Sequence, residues 1–274
     1  MRYTNFRLRF SNFKRLAAAI AAAAIGASAQ AGEFERYARA LSVLGENNPR
    51  PSVSSVASGF GAQHGQFFVA VSYSDRDLQT DDPNDDDGSI VLGLGFGDPS
   101  DLGALEVSVG ITSVSTAWWG DGKFADEGNL NIKLHKSVTQ MLGGDYASAS
   151  VGASNLTGWG GTKDIPTNVY AAYSEHRSIG KFSAYKLAYT FGYGSSAGLG
   201  EAEGSFFGGV ALARSNFTTS LSMNEDEVNV SAGMYLPSMP ELMLTVTRAD
   251  AFGGAGYRRN IFTLGYSRTI GAFR

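Results

Sequence analysis

The sequence predicts an all-β chain that folds as a closed, antiparallel, up-and-down transmembrane β-barrel of about twelve strands, preceded by a short N-terminal helix. Three observations support this prediction. Apolar residues alternate with small or polar ones along most of the chain, the connections between these stretches alternate in length, and charged residues are few. Only 18% of the 274 residues are charged, against about a quarter in an ordinary soluble domain.

The composition also excludes several classes of protein. Because the chain has no Cys, it can form no disulfide, thiolate metal site or Cys nucleophile. The formal net charge of -4 argues against a nucleic-acid-binding protein, which normally presents a basic face. The 43% hydrophobic content argues against a disordered chain.

Residues 1–31 have the pattern of a secretory signal peptide. Residues 1–15 carry basic side chains and no acid, residues 16–27 form an uncharged run rich in Ala and Ile, and Ala29-Gln30-Ala31 supplies a small-x-small cleavage pattern. The apolar run is too short to cross a bilayer, which needs roughly 20 residues. We therefore expect export, and we expect no transmembrane helix in the rest of the chain.

Twelve later segments show the alternation that is typical of strands. In one of them Leu105, Val107 and Val109 alternate with Glu106 and Ser108. Successive side chains of a strand point to opposite faces of a sheet, so such a segment has one apolar face and one small or polar face. We expect strands near residues 65–76, 88–97, 102–116, 128–138, 144–156, 167–179, 181–195, 204–214, 216–224, 226–237, 240–251 and 259–272.

The predicted connections alternate between long loops and short turns, with the connection at Glu225-Asp226 as the exception. An even number of strands with all long loops at one end is typical of barrels that cross the outer membrane. In such a barrel the large apolar face meets lipid and the polar face lines the lumen. A soluble periplasmic β-sandwich is the alternative, and it would bury Phe67, Leu92, Val109 and Leu187 together.

The last predicted strand, residues 260–274, resembles the terminal strand of Gram-negative outer-membrane β-barrel proteins, and the pattern-level resemblance covers residues 65–274. Two short runs, residues 206–210 and 227–230, are similar to YjbH-like barrels, and the overall pattern is also porin-like. The resemblance implies an outer-membrane location and recognition of the last strand by the barrel-assembly machinery. The strand departs from the family pattern, since Arg274 follows Phe273 and Arg268 interrupts the apolar face.

Residues 32–64 precede the predicted barrel as a possible plug or periplasmic arm. Residues 32–46 show apolar side chains at spacings of three and four, which predicts a helix with Phe34, Tyr37, Leu41 and Leu44 on one face. An amphipathic helix resting on a surface is the favoured interpretation, and a lumen plug or a partner-binding arm are the alternatives. Residues 52–64, rich in Ser and Gly, are expected to be extended.

The long loops contain the candidate ligand residues. The loop at 75–87 holds seven Asp, and carboxylates on a flexible loop suit a divalent cation. The spacing is not that of an EF-hand, so a solvated acidic loop is favoured over a weak metal site at Asp81, Asp82, Asp85, Asp86 and Asp87. Exposed aromatic residues could contact sugar or lipid, and the candidates are Trp118, Trp119 and Trp159.

Two further sets of residues are candidates for chemistry in the barrel itself. Charges predicted to face the lumen, where they would set ion preference, are Glu106, Lys133, His135, Lys186 and Arg248. A hydrolase would need a Ser activated by His, and Glu175 and His176 form a cluster of suitable types with either Ser174 or Ser178. Adjacent strand residues point to opposite faces, however, so Glu175 and His176 do not share a pocket without a bulge.

We therefore expect no enzyme activity and no cofactor. The favoured function is a passive pore or a structural role in the envelope. One alternative is a surface-loop binding or adhesion barrel that recognises a sugar, lipopolysaccharide or a divalent cation. Another is an outer-membrane lipid hydrolase that acts through His176.

Overall fold

The computed structural model describes residues 53–74, 87–112, 125–180, 185–195, 204–225, 227–254 and 258–270. The predicted signal peptide and N-terminal helix lie outside the described residues, as does most of the acidic loop. One 3-10 helix, Gly160–Asp164, occurs in the described part of the chain. Within that part, no helix has the length and apolar character needed to span a bilayer.

Twelve strands form a single sheet, and each corresponds to one of the segments predicted from alternation. Their bounds are β1 Gln66–Ser74, β2 Asp87–Asp98, β3 Gly103–Thr112, β4 Glu127–Val138, β5 Tyr146–Trp159, β6 Asn168–Ile179, β7 Tyr185–Gly194, β8 Ser205–Arg214, β9 Phe217–Asn224, β10 Glu227–Leu236, β11 Met239–Ala249 and β12 Arg259–Thr269.

The sheet closes on itself. Each strand pairs in antiparallel fashion with its neighbours in sequence, and β1 pairs with β12 from Gln66 opposite Thr269 to Ser74 opposite Ile261. A closed sheet has no edge strand, so every strand can pair its backbone N–H and C=O groups on both sides without water. The predicted twelve-stranded, closed, antiparallel β-barrel is confirmed.

The connections divide the barrel into two distinct ends. Residues 99–102, 139–145, 180–184, 215–216 and 237–238 connect strands at the end where β1 begins and β12 finishes, which we call the short-turn end. Residues 75–86, 113–126, 160–167, 195–204 and 250–258 connect strands at the opposite end, which we call the long-loop end. The two-residue connection 225–226 is the exception there, as the sequence indicates.

Large apolar side chains cover the outside of the barrel. Leu92 is 47% exposed and Val151 55% exposed, and Phe67 lies against Tyr266 of β12 on the same outer face. Leu92, Val109 and Leu187 lie on three different strands of this face, so they do not meet in a shared interior. The soluble-sandwich alternative is wrong, because the apolar face of the closed sheet is the exposed one.

The inner face combines small polar residues with a few large rings. Three inward aromatic residues lie against a glycine on the neighbouring strand: Phe68 opposite Gly93, Tyr170 opposite Gly152, and Phe207 opposite Gly192. A Cβ at Gly93 would lie 2.1 Å from the Phe68 ring, and one at Gly192 would lie 2.3 Å from the Phe207 ring. The glycines therefore provide space for aromatic rings as well as widening the lumen.

The exposed apolar face predicts a strong penalty for charge near mid-barrel. Leu92→Arg should destabilise the barrel in lipid vesicles by about 2–4 kcal/mol, because a basic side chain on the lipid face is most costly at the bilayer midplane. Denaturant-induced unfolding in vesicles measures this change. Leu102→Arg, at a turn residue that is 90% exposed, is the control and should cost about 0–1 kcal/mol. Equal effects of the two substitutions would contradict a lipid-facing Leu92.

Candidate functional site

Residues 53–64, which precede β1, lie inside the barrel, and we call them the lumen segment. Its apolar side chains are almost fully enclosed: Val53 and Val56 are 2% exposed, Phe60 1% and Ala62 0%. The segment contacts inward side chains of β9, β6, β5, β4 and β3 before its end reaches β2. The lumen is therefore occupied by the chain's own backbone.

One part of the lumen segment is held by apolar packing. Val53, Val56 and Phe60 form a cluster with inward residues of β6, β7 and β8, namely Tyr170, Ala172, Ala188, Phe207 and Ala211. The Phe60 ring stacks on Tyr146, with 5.5 Å between ring centroids and 17° between planes. It also lies 6.4 Å from the His176 ring. Phe60 is thus the principal apolar anchor of the segment.

A second part is held by three ionisable side chains on β3 and β4. Glu106 Oε2 accepts a hydrogen bond from Ala62 N at 2.7 Å, and Lys133 Nζ donates to Phe60 O at 3.1 Å. His135 Nε2 lies 3.0 Å from Ala62 O, so this nitrogen carries the proton and donates. All three bonds go to backbone atoms of the segment.

Serine hydroxyls bind the segment between these two parts. Ser174 Oγ accepts a hydrogen bond from Gly59 N at 2.8 Å and lies 3.2 Å from Ser58 Oγ. Ser150 Oγ donates to Ser58 O at 2.9 Å. At the end of the segment, His64 N donates to Gly97 O at 2.8 Å. Most of the hydrogen bonds from the wall therefore go to the backbone of the segment.

Two glycines allow the segment to lie close to the wall. A Cβ at Gly59 would lie 2.2 Å from Ser148 O, and a Cβ at Gly61 would lie 2.6 Å from His135 Cδ2. The first contact is with backbone, which cannot move aside as a flexible side chain could. A larger residue at position 59 is thus incompatible with the observed position of the segment.

The enclosed charges of the wall obtain some of their hydrogen bonds from the lumen segment. Glu106 and Lys133 face each other across β3 and β4, and each is 1% exposed. An enclosed charge is tolerated only when it is paired and its hydrogen-bonding capacity is satisfied. The lumen segment supplies some of the hydrogen-bond partners of Glu106 and Lys133. Removing the segment therefore requires water to enter the barrel and solvate both side chains.

The predicted lumen charges do not all lie together. Glu106, Lys133 and His135 lie together, and all three bind the lumen segment. Lys186 lies on the inner face of β7 near the short-turn end and is half-buried. Arg248 differs from the expectation: it follows Leu244 and Val246 on the outer face of β11, and its Nη1 donates to Asn260 Oδ1 at 3.0 Å. The prediction that Arg248 faces the lumen is therefore wrong.

The Ser174, Glu175 and His176 cluster is divided between the two faces of β6. Ser174 and His176 point inward, where the Ser174 hydroxyl is bound by Ser58, Gly59 and Thr190. The Glu175 carboxylate lies on the outer face. There it accepts hydrogen bonds from the backbone N–H groups of residues 141, 142 and 144 and from the Tyr173 hydroxyl. This arrangement anchors the β4–β5 turn and does not form a Ser-His-acid triad.

Asp145 fastens the same turn to β6 at the short-turn end. Its Oδ2 accepts hydrogen bonds from Ser178 N and Ser178 Oγ, both at 2.7 Å. Partial burial acts to raise the pKa of Asp145, but the two bonds from Ser178 and attraction by His176 and Lys186 outweigh it, so the pKa lies below its usual value. Because the ionised form is the one stabilised, this attachment weakens as the pH falls through that lowered pKa.

The loop candidates are mostly outside the described residues. Asp81, Asp82, Asp85, Asp86, Trp118 and Trp119 lie there, and Asp87 is the first residue of β2. Within the described ranges, no three His, Asp or Glu side chains are grouped to hold a metal ion. Trp159 ends β5 at the long-loop end, where its Nε1 donates to Ala125 O at 2.8 Å and its ring lies over Gly128.

The sequence predicts the charged part of the wall, Glu106, Lys133 and His135, but not the hydroxyl and aromatic residues that hold the lumen segment. Ser150, Ser174 and the inward rings of Tyr146, Tyr170 and Phe207 alternate correctly but carry no signal that they bind another part of the chain. Tyr146, at the start of β5, faces inward onto Phe60. The available signal was Phe60 between Gly59 and Gly61 in an otherwise small-residue segment, a pattern suited to close contact on both sides of one large ring.

The absence of native Cys allows one introduced Cys to report on the lumen segment. Val56→Cys should react slowly with a water-soluble maleimide, since Val56 is 2% exposed. Adding Lys133→Met removes the bond to Phe60 O and should accelerate labelling by about tenfold or more, because a hydrogen bond from a charged group contributes about 1.5–3 kcal/mol.

Leu102→Cys is the control for this labelling, because Leu102 is 90% exposed. It should react rapidly whether or not Lys133 is present. If Val56→Cys reacts as fast as Leu102→Cys in the otherwise native chain, the segment is not enclosed.

No protein-family model matches the sequence, and a search of curated proteins found no match. Among solved structures, the chain is similar to the KdgM porin, with 6% identity, a TM-score of 0.46, and coverage of 73% of this chain and 98% of that one. It is similar to an outer membrane channel from Pseudomonas putida F1, with 12% identity, a TM-score of 0.45, and coverage of 77% and 97%. Outer membrane phospholipase A from Escherichia coli shows 7% identity, a TM-score of 0.47, and coverage of 75% and 92%. These structural neighbours are outer-membrane β-barrel proteins.

Proposed function

We propose that this chain is an outer-membrane channel whose lumen is closed by residues 53–64. The observation that carries the proposal is that Glu106, Lys133 and His135 all bind the backbone of a segment that lies inside the barrel. The polar interior of the barrel thus binds a part of the chain that is separate from the barrel wall. We expect the channel to open when residues 53–64 leave these positions.

The outer-membrane location is supported by the distribution of polarity. Outward residues on opposite sides of the barrel, such as Leu92 on β2 and Val210 on β8, are 47% and 45% exposed. In water this continuous apolar exterior would be unfavourable. In lipid it carries no such penalty, because apolar side chains need no hydrogen bonds and the closed sheet pairs the backbone N–H and C=O groups of the strands with each other. Short turns at one end and long loops at the other are typical of barrels with a periplasmic and an external end.

The channel function is supported by the chemistry of the wall beneath the segment. The wall side chains that bind the segment through hydrogen bonds are polar or ionisable, and water can solvate each of them once the segment departs. The segment itself contributes no charged side chain to these contacts. When it leaves, Glu106, Lys133 and His135 would line the open path, and charges at such positions set ion preference in a pore.

A permanently closed barrel with a structural role in the envelope is the second candidate, and one observation favours it. Inner hydroxyls away from the lumen segment are also enclosed and bonded across strands, as in Ser72 with Thr263 at 2.9 Å and Ser231 with Thr247 at 2.8 Å. Such bonds stabilise the wall, and they serve a barrel through which no solute passes. Conductance distinguishes the two candidates.

Displacing the lumen segment should open the channel. Gly59→Leu forces a side chain into Ser148 O, where a Cβ alone would lie 2.2 Å away. In planar bilayers we expect the native protein to be mostly closed and Gly59→Leu to show larger or more frequent conductance steps. A further Lys133→Gln change should then shift the reversal potential toward cations, since it removes a positive charge from the exposed path.

Ala171→Leu is the matched control, because Ala171 lies on the exposed outer face of the same wall strand, β6. It adds bulk without touching the segment and should leave conductance unchanged. If Gly59→Leu folds, as shown by heat-modifiable mobility in detergent gels, and conducts no better than the native protein, the channel proposal fails and the structural role is favoured.

A further inference from the structure

Four basic residues lie on the outer face of the barrel close to the short-turn end. Lys136 is the third residue from the end of β4, Arg177 the third from the end of β6, Arg214 the last of β8, and Arg268 the second from the end of β12. Each has the strand phase of the apolar outer residues: Lys136 follows Leu134, and Arg214 follows Leu212. We call these four residues the basic belt.

Within the described ranges, no protein carboxylate neutralises the belt. Among the described residues, none of the four forms an ion pair, and the contact shown for Arg214 is with the Tyr185 ring, 5.2 Å from its centroid. Lys136, Arg214 and Arg268 are exposed, and Arg177 is partly exposed. These cations are therefore free to meet anions outside the chain.

Three of the acids at the short-turn end accept hydrogen bonds from other groups of the protein. Glu175, on the same outer face, is enclosed by the β4–β5 turn and is 0% exposed. Asp98, at the end of β2, accepts hydrogen bonds from Ser100 N at 2.8 Å and from Ser100 Oγ. Asp145 is held by Ser178. Asp98, Asp101 and Glu241 are exposed at the same end, but within the described ranges none of them forms an ion pair with a belt residue.

The position of the belt matches the boundary of a lipid layer. Moving from the belt toward mid-barrel, the next outward residues include Leu134, Leu212 and Tyr266, which belong to the apolar band. Long basic side chains at such a boundary lay their aliphatic stems on the apolar surface and extend their charged groups toward the headgroups. An anionic headgroup layer attracts each such residue by about 1 kcal/mol.

We propose that the basic belt binds the phosphates of anionic phospholipids in the periplasmic leaflet of the outer membrane. Short turns face the periplasm in barrels of this type, so the belt meets phospholipid headgroups there. Binding at four points, on β4, β6, β8 and β12, fixes the depth of the barrel in the membrane. The inference rests on the outer-membrane location proposed above and does not depend on the channel being gated.

The test compares phosphatidylglycerol with phosphatidylcholine in mixed detergent micelles. The measured quantity is the temperature at which the folded gel band converts to the unfolded one, since a ligand that binds only the folded state raises this temperature. For the native chain we expect a higher midpoint with phosphatidylglycerol than with phosphatidylcholine. The combination Lys136→Gln, Arg177→Gln and Arg268→Gln should abolish that difference.

Lys163→Gln, Arg248→Gln and Arg258→Gln together form the matched control, because they remove the same charge near the long-loop end. The control should retain the native difference between the two lipids. If both triple variants lose the difference between the two lipids equally, net charge alone is responsible and the proposal is overturned. The proposal is also overturned if the belt variant keeps the full difference. Soluble glycerol 3-phosphate should not reproduce the shift, and if it does, the lipid assignment is wrong.

Two further measurements keep the proposal testable if the belt variant fails to fold. Arg177→Lys with Arg268→Lys keeps the charges and should keep the lipid difference. In the native chain, about 1 M salt should remove the difference, since it shortens the screening length to about 3 Å. A salt-independent difference would contradict charge-based binding. A native chain with no heat-modifiable band in either lipid would contradict the membrane location, whereas equal midpoints would contradict the belt alone.

Discussion

The pairing of β1 with β12 is the constraint on which the rest of the structure depends. Because these strands join along their length, from Gln66 opposite Thr269 to Ser74 opposite Ile261, the sheet has no edge. An edge in lipid would leave a row of N–H and C=O groups without partners, at a cost of several kcal/mol each. Closure removes that cost and permits an exterior of Leu, Val and aromatic side chains. It also creates an interior shielded from lipid, where charged residues such as Glu106 and Lys133 can be accommodated.

Once the sheet is closed, its interior has to be filled or hydrated. Different parts of the interior are filled in different ways. Aromatic rings such as Phe68 lie over glycines of the next strand, cross-strand hydroxyl pairs such as Ser72 with Thr263 tighten the wall, and the lumen segment occupies the space beside β3 to β6. The hydrogen bonds of the segment are made mainly by its backbone, to wall side chains that water can also solvate, while Val53, Val56 and Phe60 pack on apolar wall residues. The proposed gate rests on the hydrogen-bonded part.

Much of the fold could be predicted from the sequence, since two-residue alternation is a local property. All twelve strands and the division into short-turn and long-loop ends follow from it. Most of the lumen site could not be predicted, because binding of residues 53–64 by Ser150 and Ser174 joins positions about a hundred residues apart. Alternation also leaves the face ambiguous near strand ends, as at Arg248, which lies on the outer face of β11 and not in the lumen. Glu106, Lys133 and His135 could be recognised as inward charges, but their shared partner could not.

The most direct test of the central claim uses a disulfide between the lumen segment and the wall. Ser58 Oγ and Ser174 Oγ lie 3.2 Å apart, and the chain has no native Cys. Ser58→Cys with Ser174→Cys should therefore form a disulfide under mild oxidation in the membrane, changing the gel mobility of the unfolded chain and reversing on reduction. The single-Cys variants should show no such change. If the folded, membrane-inserted double variant forms no disulfide, residues 53–64 do not lie against β6 and the account of a closed lumen is contradicted.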